Sequence, residues 1–353
     1  MTSPSIGRCS ALETSRYIWW ERTCVTVFLT SIFITLAHFV HSAYLVEDSR
    51  LPTVSSNEVY YLFKPAPLVY APETYRVAVP ALGSLLVRVL HTQHPSVVAA
   101  VLDFIFGTLA CYLLYKVVVA GFPLAGAGLK ERALAVALFL AFLQFAIPWV
   151  VYRQRPETLP TALYVAVVLL CLTRSGSGVA WSLGLLAATA VQGFVRADVP
   201  FAIGVALVLA SLMGILKGFG ARGATLVKGI AVAAIAVGVQ GYLQFVRFPH
   251  LSYWPGTSVL QFRNNLGFHN MANLVAALLP YLLVGGALKM KRARLDAVDT
   301  LILVASGLYL AIWFTVGIAD EVRIYVPFLM ALSVVAAKFS ASHILSQDPV
   351  QAG

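Results

Sequence analysis

Long apolar segments, separated by short polar ones, follow one another along the chain from Val25 onward. Segments of about 18 apolar residues or more are typical of membrane-spanning helices, whereas the strands of a transmembrane barrel alternate over about 10 residues, a pattern this sequence does not show. The predicted spans run approximately over Val25–Val46, Val97–Val119, Ala133–Tyr152, the segment ending at Leu172, Val179–Phe194, Val199–Leu216, Gly229–Phe248, Met271–Leu288, Thr300–Ile318 and Ile324–Lys338. The pattern therefore predicts a single all-α integral membrane domain over residues 1–353, a polytopic transmembrane helical bundle of about ten spans.

One apolar segment, Val77–His91, does not fit a span. It is short, carries Pro80 and Gly83 near its start, and contains Arg88. Such a segment is more typical of a helix that lies in the membrane interface than of one that crosses the bilayer. We therefore expect residues 44–95 to form the first outer loop with an interfacial helix, and residues 1–24 and 339–353 to be cytoplasmic tails.

The distribution of lysines sets the orientation of these spans. Lysine and arginine in short loops favour the cytoplasmic side. With ten spans and the N- and C-termini inside, every lysine except Lys64 falls on the inner side. If Val77–His91 crossed, the basic run Lys289–Arg294 would face outward, so the ten-span arrangement is preferred.

Composition removes several other classes of protein. Hydrophobic residues make up 59% of the chain and charged residues only 11%, against about 25% in soluble domains. The net charge of +10 could suggest nucleic acid, but membrane orientation explains it, so we expect no nucleic-acid partner. The four cysteines show no CxxC spacing, and neither a disulfide nor a zinc site is expected.

Arginines gather where the predicted spans end on the outer side, several beside an acid. Arginine binds phosphate and carboxylate groups bidentately, so these residues either form ion pairs that close helix ends or converge on a phosphate-bearing ligand at the membrane surface. We favour convergence for the set as a whole. The candidate binding residues are Arg76, Arg153, Arg155, Glu157, Arg196, Asp198 and Arg323, the last of which follows Asp320 and Glu321.

Three further acids are candidates for chemistry. Glu47 and Asp48 are adjacent where the first span emerges, and a carboxylate there can serve as a general base. Asp103 lies about two turns into the second span, in its outer half, where an ionisable side chain is costly and by default functional. We expect Asp103 to line the pocket; a structural partner such as arginine or histidine is the alternative.

The arrangement of a first span, an outer loop opening with Val46-Glu-Asp-Ser49, an interfacial helix and many further spans resembles the GT-C glycosyltransferases. Tyr75–Pro80, Arg155–Glu157, Val195–Asp198 and Glu321–Arg323 are similar to motifs of bacterial multispanning members of that class. The resemblance implies transfer of a sugar from a polyprenyl-phosphate carrier on the outer face of a bacterial cytoplasmic membrane. It also implies that Glu47 and Asp48 activate the acceptor or bind a divalent cation.

Two other functions remain open from the residues. The first is a transporter or flippase for a phosphorylated or lipid-linked molecule, which would place polar groups at mid-membrane on broken helices, often in repeated halves. Because the later spans are nearly free of charge at mid-depth and no internal repeat is visible, the transferase interpretation is preferred. The second is a non-catalytic partner in a membrane assembly. The partners expected for the transferase are membrane lipids and a lipid-linked sugar donor.

Overall fold

The computed structural model describes residues 6–48, 70–71, 76–92, 95–122, 128–151, 155–174, 178–215, 222–250, 252–253, 261–291, 295–317 and 321–345. These residues are almost entirely helical. The helices are α1 (Ile6–Asp48), α2 (Ala78–Val89), α3 (Pro95–Ala120), α4 (Gly128–Val151), α5 (Thr158–Arg174), α6 (Val179–Val195), α7 (Asp198–Leu212), α8 (Arg222–Gly241), the single turn α9 (Phe262–Asn265), α10 (Phe268–Lys291), α11 (Ala297–Val316) and α12 (Val326–Leu345). The predicted all-helical class is confirmed.

Among the described residues, seven helices are long and apolar enough to cross a membrane, by length and composition. Their apolar stretches are Thr14–Ser42, Ser96–Ala120, Leu129–Val151, Arg222–Arg247, Phe268–Gly286, Ala297–Thr315 and Val322–Leu345. The other predicted spans coincide with α5, α6 and α7, which have 17, 17 and 15 residues. At 1.5 Å per residue these helices reach about 22–26 Å, less than the hydrocarbon thickness of about 30 Å.

Helix α1 is longer at both ends than the span predicted for it. It begins at Ile6, inside the segment predicted as a tail, and it continues to Asp48, inside the segment predicted as a loop. Between Thr14 and Val46 the sequence contains neither proline nor glycine, so nothing in it interrupts the helix. The C-terminal helix α12 likewise extends beyond Lys338, to Leu345.

The core of the bundle is built around α12. Residues 326–338 of this helix are all buried, and α12 contacts α3, α4, α5, α10 and α11. A helix that is apolar on every side lies either in the core of a protein or in a membrane, and here the neighbouring helices bury residues 326–338. In the described part of the chain, α12 is therefore the central helix of the bundle.

Close helix pairs form where a glycine replaces a larger side chain. On α3, Gly107 lies against the ring of Phe33 from α1, and an added methyl group there would overlap that ring. On α7, Gly204 approaches the backbone of α8 so closely that a Cβ atom would lie 2.6 Å from the nitrogen of Ala233. Such contacts allow strong van der Waals packing between helices in a membrane, where hydrophobic burial contributes little.

Buried ion pairs join helices at one end of the bundle. Glu21 of α1 accepts two hydrogen bonds of 2.8 Å from Arg132 of α4 and one from the hydroxyl group of Tyr115 of α3. Lys338 of α12 donates to Asp299 of α11 at 2.7 Å, and also pairs with Asp296. A Cβ atom added at Gly121, after α3, would lie 3.0 Å from Cε of Lys338, so both clusters belong to the same end.

At the opposite end, the structure joins two segments that are distant in sequence. Strand β1 (Tyr70–Ala71) pairs in parallel with β2 (Ser252–Tyr253), with Tyr70 opposite Ser252. Helix α8 continues into a π-helix, Tyr242–Arg247, shortly before β2. Backbone hydrogen bonds thus connect the predicted first outer loop with the connection between the predicted spans Gly229–Phe248 and Met271–Leu288.

Candidate functional site

Arg76, which precedes α2, forms an ion pair with Glu157, which precedes α5. The pair is separated by 81 residues in sequence. Only 7% of the Glu157 side chain is exposed, and 21% of the Arg76 side chain. The contact therefore holds the start of α2 against the start of α5.

A second ion pair occupies the short connection between α6 and α7. Arg196 follows α6 and donates from Nε to Oδ1 of Asp198 at 3.2 Å and from a terminal nitrogen to Oδ2. The same terminal nitrogen donates to the hydroxyl oxygen of Tyr309 on α11 at 2.7 Å. The Tyr309 hydroxyl in turn donates to Oδ2 of Asp198 at 3.0 Å. These bonds close a triangle of arginine, aspartate and tyrosine.

The two ion pairs belong to one electrostatic cluster. Burial alone would raise the pKa of the Glu157 carboxyl, but the charges of Arg76, Arg155 and Arg196 outweigh burial and hold that pKa below its usual value. Burial lowers the pKa of the Arg196 guanidinium, whereas Asp198, Tyr309 and Glu157 raise it, and the net direction is upward. We call the five charged residues the arginine–carboxylate cluster: Arg76, Arg155, Glu157, Arg196 and Asp198. Among the described residues it contains three guanidinium groups and two carboxylates.

A buried chain of hydrogen bonds between α5 and α6 holds the cluster in place. The hydroxyl of Thr161 donates to the backbone oxygen of Glu157 at 2.7 Å. The amide of Gln192 donates to the Thr161 hydroxyl oxygen at 3.0 Å, and the backbone nitrogen of Arg196 donates to the Gln192 backbone oxygen at 2.6 Å. These bonds fix the end of α6 relative to the start of α5, and therefore fix Arg196 relative to Glu157.

Apolar packing supports the cluster from the side. Leu243 of the π-helix is buried against Val77, which follows Arg76, and Phe194, which precedes Arg196 by two residues. A π-helical turn widens a helix locally and is frequent near functional sites. Here the π-helix contacts both segments that carry the arginines.

The cluster opens to its surroundings at Asp198. The side chain of Asp198 is 43% exposed, although that of its partner Arg196 is only 5% exposed. Exposed or half-buried residues continue along one face of α7 at intervals of three or four. They are Asp198, Phe201, Val205, Leu209 and Leu212. An apolar stripe therefore leads along α7 to the exposed carboxylate.

Arg323 lies close to this region but in a pair of its own. It donates to Glu321 at 2.8 Å, just before α12. Two residues later the ring of Tyr325 stacks on Tyr309, with ring centroids 6.2 Å apart. Arg323 therefore lies two residues from a tyrosine whose ring stacks on Tyr309. Its other predicted neighbour, Asp320, lies outside the described residues.

The remaining predicted residues have different outcomes. Asp103 is buried on α3, at 3% exposure, and its place in the pocket stays a prediction. The backbone of Glu47 and Asp48 forms the last turn of α1, but their side chains lie outside the described residues, as does the whole of Arg153. Within the described ranges, no group of three His, Cys, Asp or Glu residues could hold a metal ion.

Comparison with protein-family models, with curated proteins and with solved structures finds no match to this chain. The arrangement of its side chains is consequently the main guide to its function. Five of the candidate binding residues that the sequence predicts come together in the structure: Arg76, Arg155, Glu157, Arg196 and Asp198.

Sequence reasoning missed Tyr309, Gln192 and Thr161. A single tyrosine, glutamine or threonine in an apolar segment is usually a satisfied core residue, and nothing in the spacing distinguishes Tyr309. One signal was available for the pair on α5 and α6. Thr161 and Gln192 each lie four residues from a charged residue that had been selected, Glu157 and Arg196, and so share a helix face with it.

Proposed function

We propose that this protein is a membrane glycosyltransferase that moves a sugar from a polyprenyl-phosphate carrier to an acceptor on the outer face of a bacterial cytoplasmic membrane. The observation that carries the proposal is the composition of the arginine–carboxylate cluster. In the described part of the chain, three guanidinium groups gather around two carboxylates at this site. A phosphate group has the charge and the acceptor oxygens that arginine binds best.

The cluster suits the departure of a phosphate group. In the proposed reaction an acceptor hydroxyl oxygen forms a bond to the anomeric carbon, the bond from that carbon to the phosphate oxygen breaks, and its electron pair leaves with the phosphate. Arg76, Arg155 and Arg196 would stabilise the charge that develops on the phosphate. A carboxylate takes the hydroxyl proton, and the resemblance to GT-C enzymes assigns this role to Glu47 or Asp48.

The hydrocarbon tail of the carrier has a route to the cluster. The exposed stripe of α7 is apolar from Phe201 to Leu212 and ends at Asp198. We propose that the tail lies along this stripe within the bilayer and that the phosphate reaches the cluster at headgroup level. Asp103 and Arg323 would line the same pocket.

We further propose that ten helices cross the membrane, with both termini inside and α2 at the outer interface. The arrangement of helix ends supports this, because Arg76 before α2 pairs with Glu157 before α5, whereas Lys338 and Arg132 lie at the other end. The end with the lysines is then cytoplasmic.

Cysteine labelling of intact cells tests this topology in a Cys9→Ser, Cys24→Ser background, since Cys24 is exposed and Cys9 lies in the segment predicted as a cytoplasmic tail. Arg263 and Arg174 are exposed residues in connections predicted outside and inside, respectively. A membrane-impermeant maleimide should label Arg263→Cys and leave Arg174→Cys unlabelled until the cells are opened. The reverse result would place the cluster on the cytoplasmic side and overturn the proposal.

Binding of a polyprenyl phosphate to the purified protein tests the phosphate site. We expect the lipid to raise the unfolding temperature of the wild type more than the uncharged polyprenol does. Arg155→Gln is the chosen variant because it leaves the ion pairs Arg76–Glu157 and Arg196–Asp198 intact. Loss of one charge-assisted hydrogen bond should weaken binding about 10- to 100-fold. The exposed Arg263→Gln is the matched control and should bind as the wild type does.

Incubation with polyprenyl-phosphate sugars in proteoliposomes then separates the two candidate functions. A transferase releases the polyprenyl phosphate as the sugar passes to a supplied hydroxyl acceptor or to water, whereas a transporter moves the conjugate intact. Two results would refute the transferase proposal. One is equal stabilisation of the protein by polyprenyl phosphate and by polyprenol, and the other is transport of the conjugate without release of polyprenyl phosphate.

A further inference from the structure

Asp198 is the charged residue of the cluster with the most open side chain. Its side chain is 43% exposed, compared with 21% for Arg76, 7% for Glu157 and 5% for Arg196. A ligand that reaches the cluster along α7 would therefore meet the Asp198 carboxylate before it meets the buried guanidinium of Arg196.

The hydrogen bonds of Asp198 leave room for one more donor. A carboxylate has about four acceptor positions on its two oxygens. Oδ2 accepts from Arg196 and from Tyr309, and Oδ1 accepts from Nε of Arg196. Among the described residues nothing fills the remaining position on Oδ1, and Arg196 already balances the charge of the carboxylate. A neutral hydroxyl donor fits this position better than a cation, because a divalent ion asks for several oxygen ligands.

Tyr309 holds this carboxylate in place. Its ring is buried and packs on Phe328, with centroids 4.7 Å apart, and on Tyr325 at 6.2 Å. The packed ring fixes the position of the hydroxyl, which bonds both Arg196 and Asp198. Tyr309 thus sets the orientation of the Asp198 carboxylate from a helix, α11, that carries no other residue of the cluster.

We propose that Asp198 accepts a hydrogen bond from a hydroxyl group of the carrier-linked sugar, and that Tyr309 is the positioning residue that orients Asp198 for this contact. The proposal rests on the function proposed above and makes it more specific. The arginines bind the phosphate, and Asp198 distinguishes a carrier that bears a sugar from one that does not.

Two lipids and three variants test the assignment. The lipids are a polyprenyl phosphate and the same lipid with a hexose on its phosphate, and affinities are measured by thermal shift of the full-length purified protein. Asp198→Asn removes the charge of the carboxylate, and Tyr309→Phe keeps the ring stack but removes the hydroxyl. Tyr325→Phe is the matched control. Tyr325 belongs to the same aromatic stack, but its hydroxyl donates to the backbone oxygen of Ser306 at 2.8 Å.

We expect the wild type to bind the glycosylated lipid more tightly than the bare phosphate. Asp198→Asn and Tyr309→Phe should each weaken binding of the glycosylated lipid about tenfold or more, with a much smaller effect on the bare phosphate. Tyr325→Phe should leave the preference for the sugar unchanged. A purely structural role for Tyr309 would instead lower the affinities for both lipids together.

The possible failures are distinguishable. Equal weakening for both lipids would assign Asp198 to the phosphate site and overturn its role in sugar recognition, as would a wild type without preference for the sugar. A wild type that binds neither lipid would refute the proposed function itself. If Asp198→Asn does not fold, Tyr309→Phe still decides the question.

Discussion

Glu157→Gln is the substitution with the most direct consequence for the arginine–carboxylate cluster. Glutamine keeps the shape of the side chain but removes its charge, so three guanidinium groups would face Asp198 alone. Glu157 is 7% exposed, and breaking a buried ion pair by removing one partner costs about 3–5 kcal/mol. Since Arg76 is 21% exposed and can turn to solvent, we expect the lower end of that range, about 3 kcal/mol.

Thermal unfolding of the purified protein measures this loss. A change of about 3 kcal/mol should lower the unfolding temperature on the order of 6 °C, at the lower limit for large domains. Glu131→Gln, at an exposed position in the first turn of α4, is the control and should change the stability by less than about 0.5 kcal/mol. With Glu157→Gln in place, Arg76→Gln should destabilise less than it does alone, because the two residues share one interaction.

The dependence on pH provides a second readout. The folded protein holds the pKa of Glu157 below that of the unfolded chain, which is about 4.3. The carboxylate therefore stabilises the fold fully above that pH, and its contribution disappears as the pH falls through the pKa of the folded state. The stability difference between the wild type and Glu157→Gln should be constant near neutral pH and shrink below about pH 4. Equal stability at neutral pH, or a difference that does not shrink in acid, would refute the electrostatic account.

Two other substitutions test the packing of the bundle. Gly107→Ala should destabilise the protein by about 1–3 kcal/mol, since the added methyl group overlaps a ring of α1. Gly285→Ala is the control, because nothing lies within 4 Å of the added methyl group, and it should be neutral or stabilising by up to about 1 kcal/mol. Equal effects of the two substitutions in thermal unfolding would contradict the close contact. Lys338→Met should destabilise by about 3 kcal/mol, because Asp296 and Asp299 lose their shared cation. Adding Asp299→Asn to that variant should restore part of the loss, and failure to do so would argue against the ion pair as the cause.

The sequence predicted those parts of the cluster that depend on short spacing. Arg196 and Asp198 are two residues apart at a helix junction, and apolar periodicity locates that junction. The partner of Glu157 was not predictable, because Arg76 lies 81 residues away and only the packing of α2 against the bundle brings the two together. Tyr309 could not be distinguished from the other tyrosines of the apolar segments for the same reason.

The lengths of the helices were harder to predict from the sequence than their positions. Each predicted span overlaps one helix of the structure, but hydropathy cannot determine where a helix ends when polar residues continue it. Helix α1 includes the segment around Trp19 and Trp20 because the polar residues of that segment are compatible with a helix. The short helices α5 to α7 were predicted as ordinary spans because apolar composition does not report how far a helix reaches.

The burial of α12 has a consequence for biogenesis. Membrane helices enter the bilayer in the order in which the ribosome makes them, and α12 is the last of those described. Until α12 is inserted, lipid covers the surfaces of the earlier helices that α12 will later contact, those of α4, α5 and α11. The earlier helices should therefore wait in the membrane as a loose assembly, exposed to quality-control proteases, and a chain that stops before Val326 should be degraded rather than accumulate.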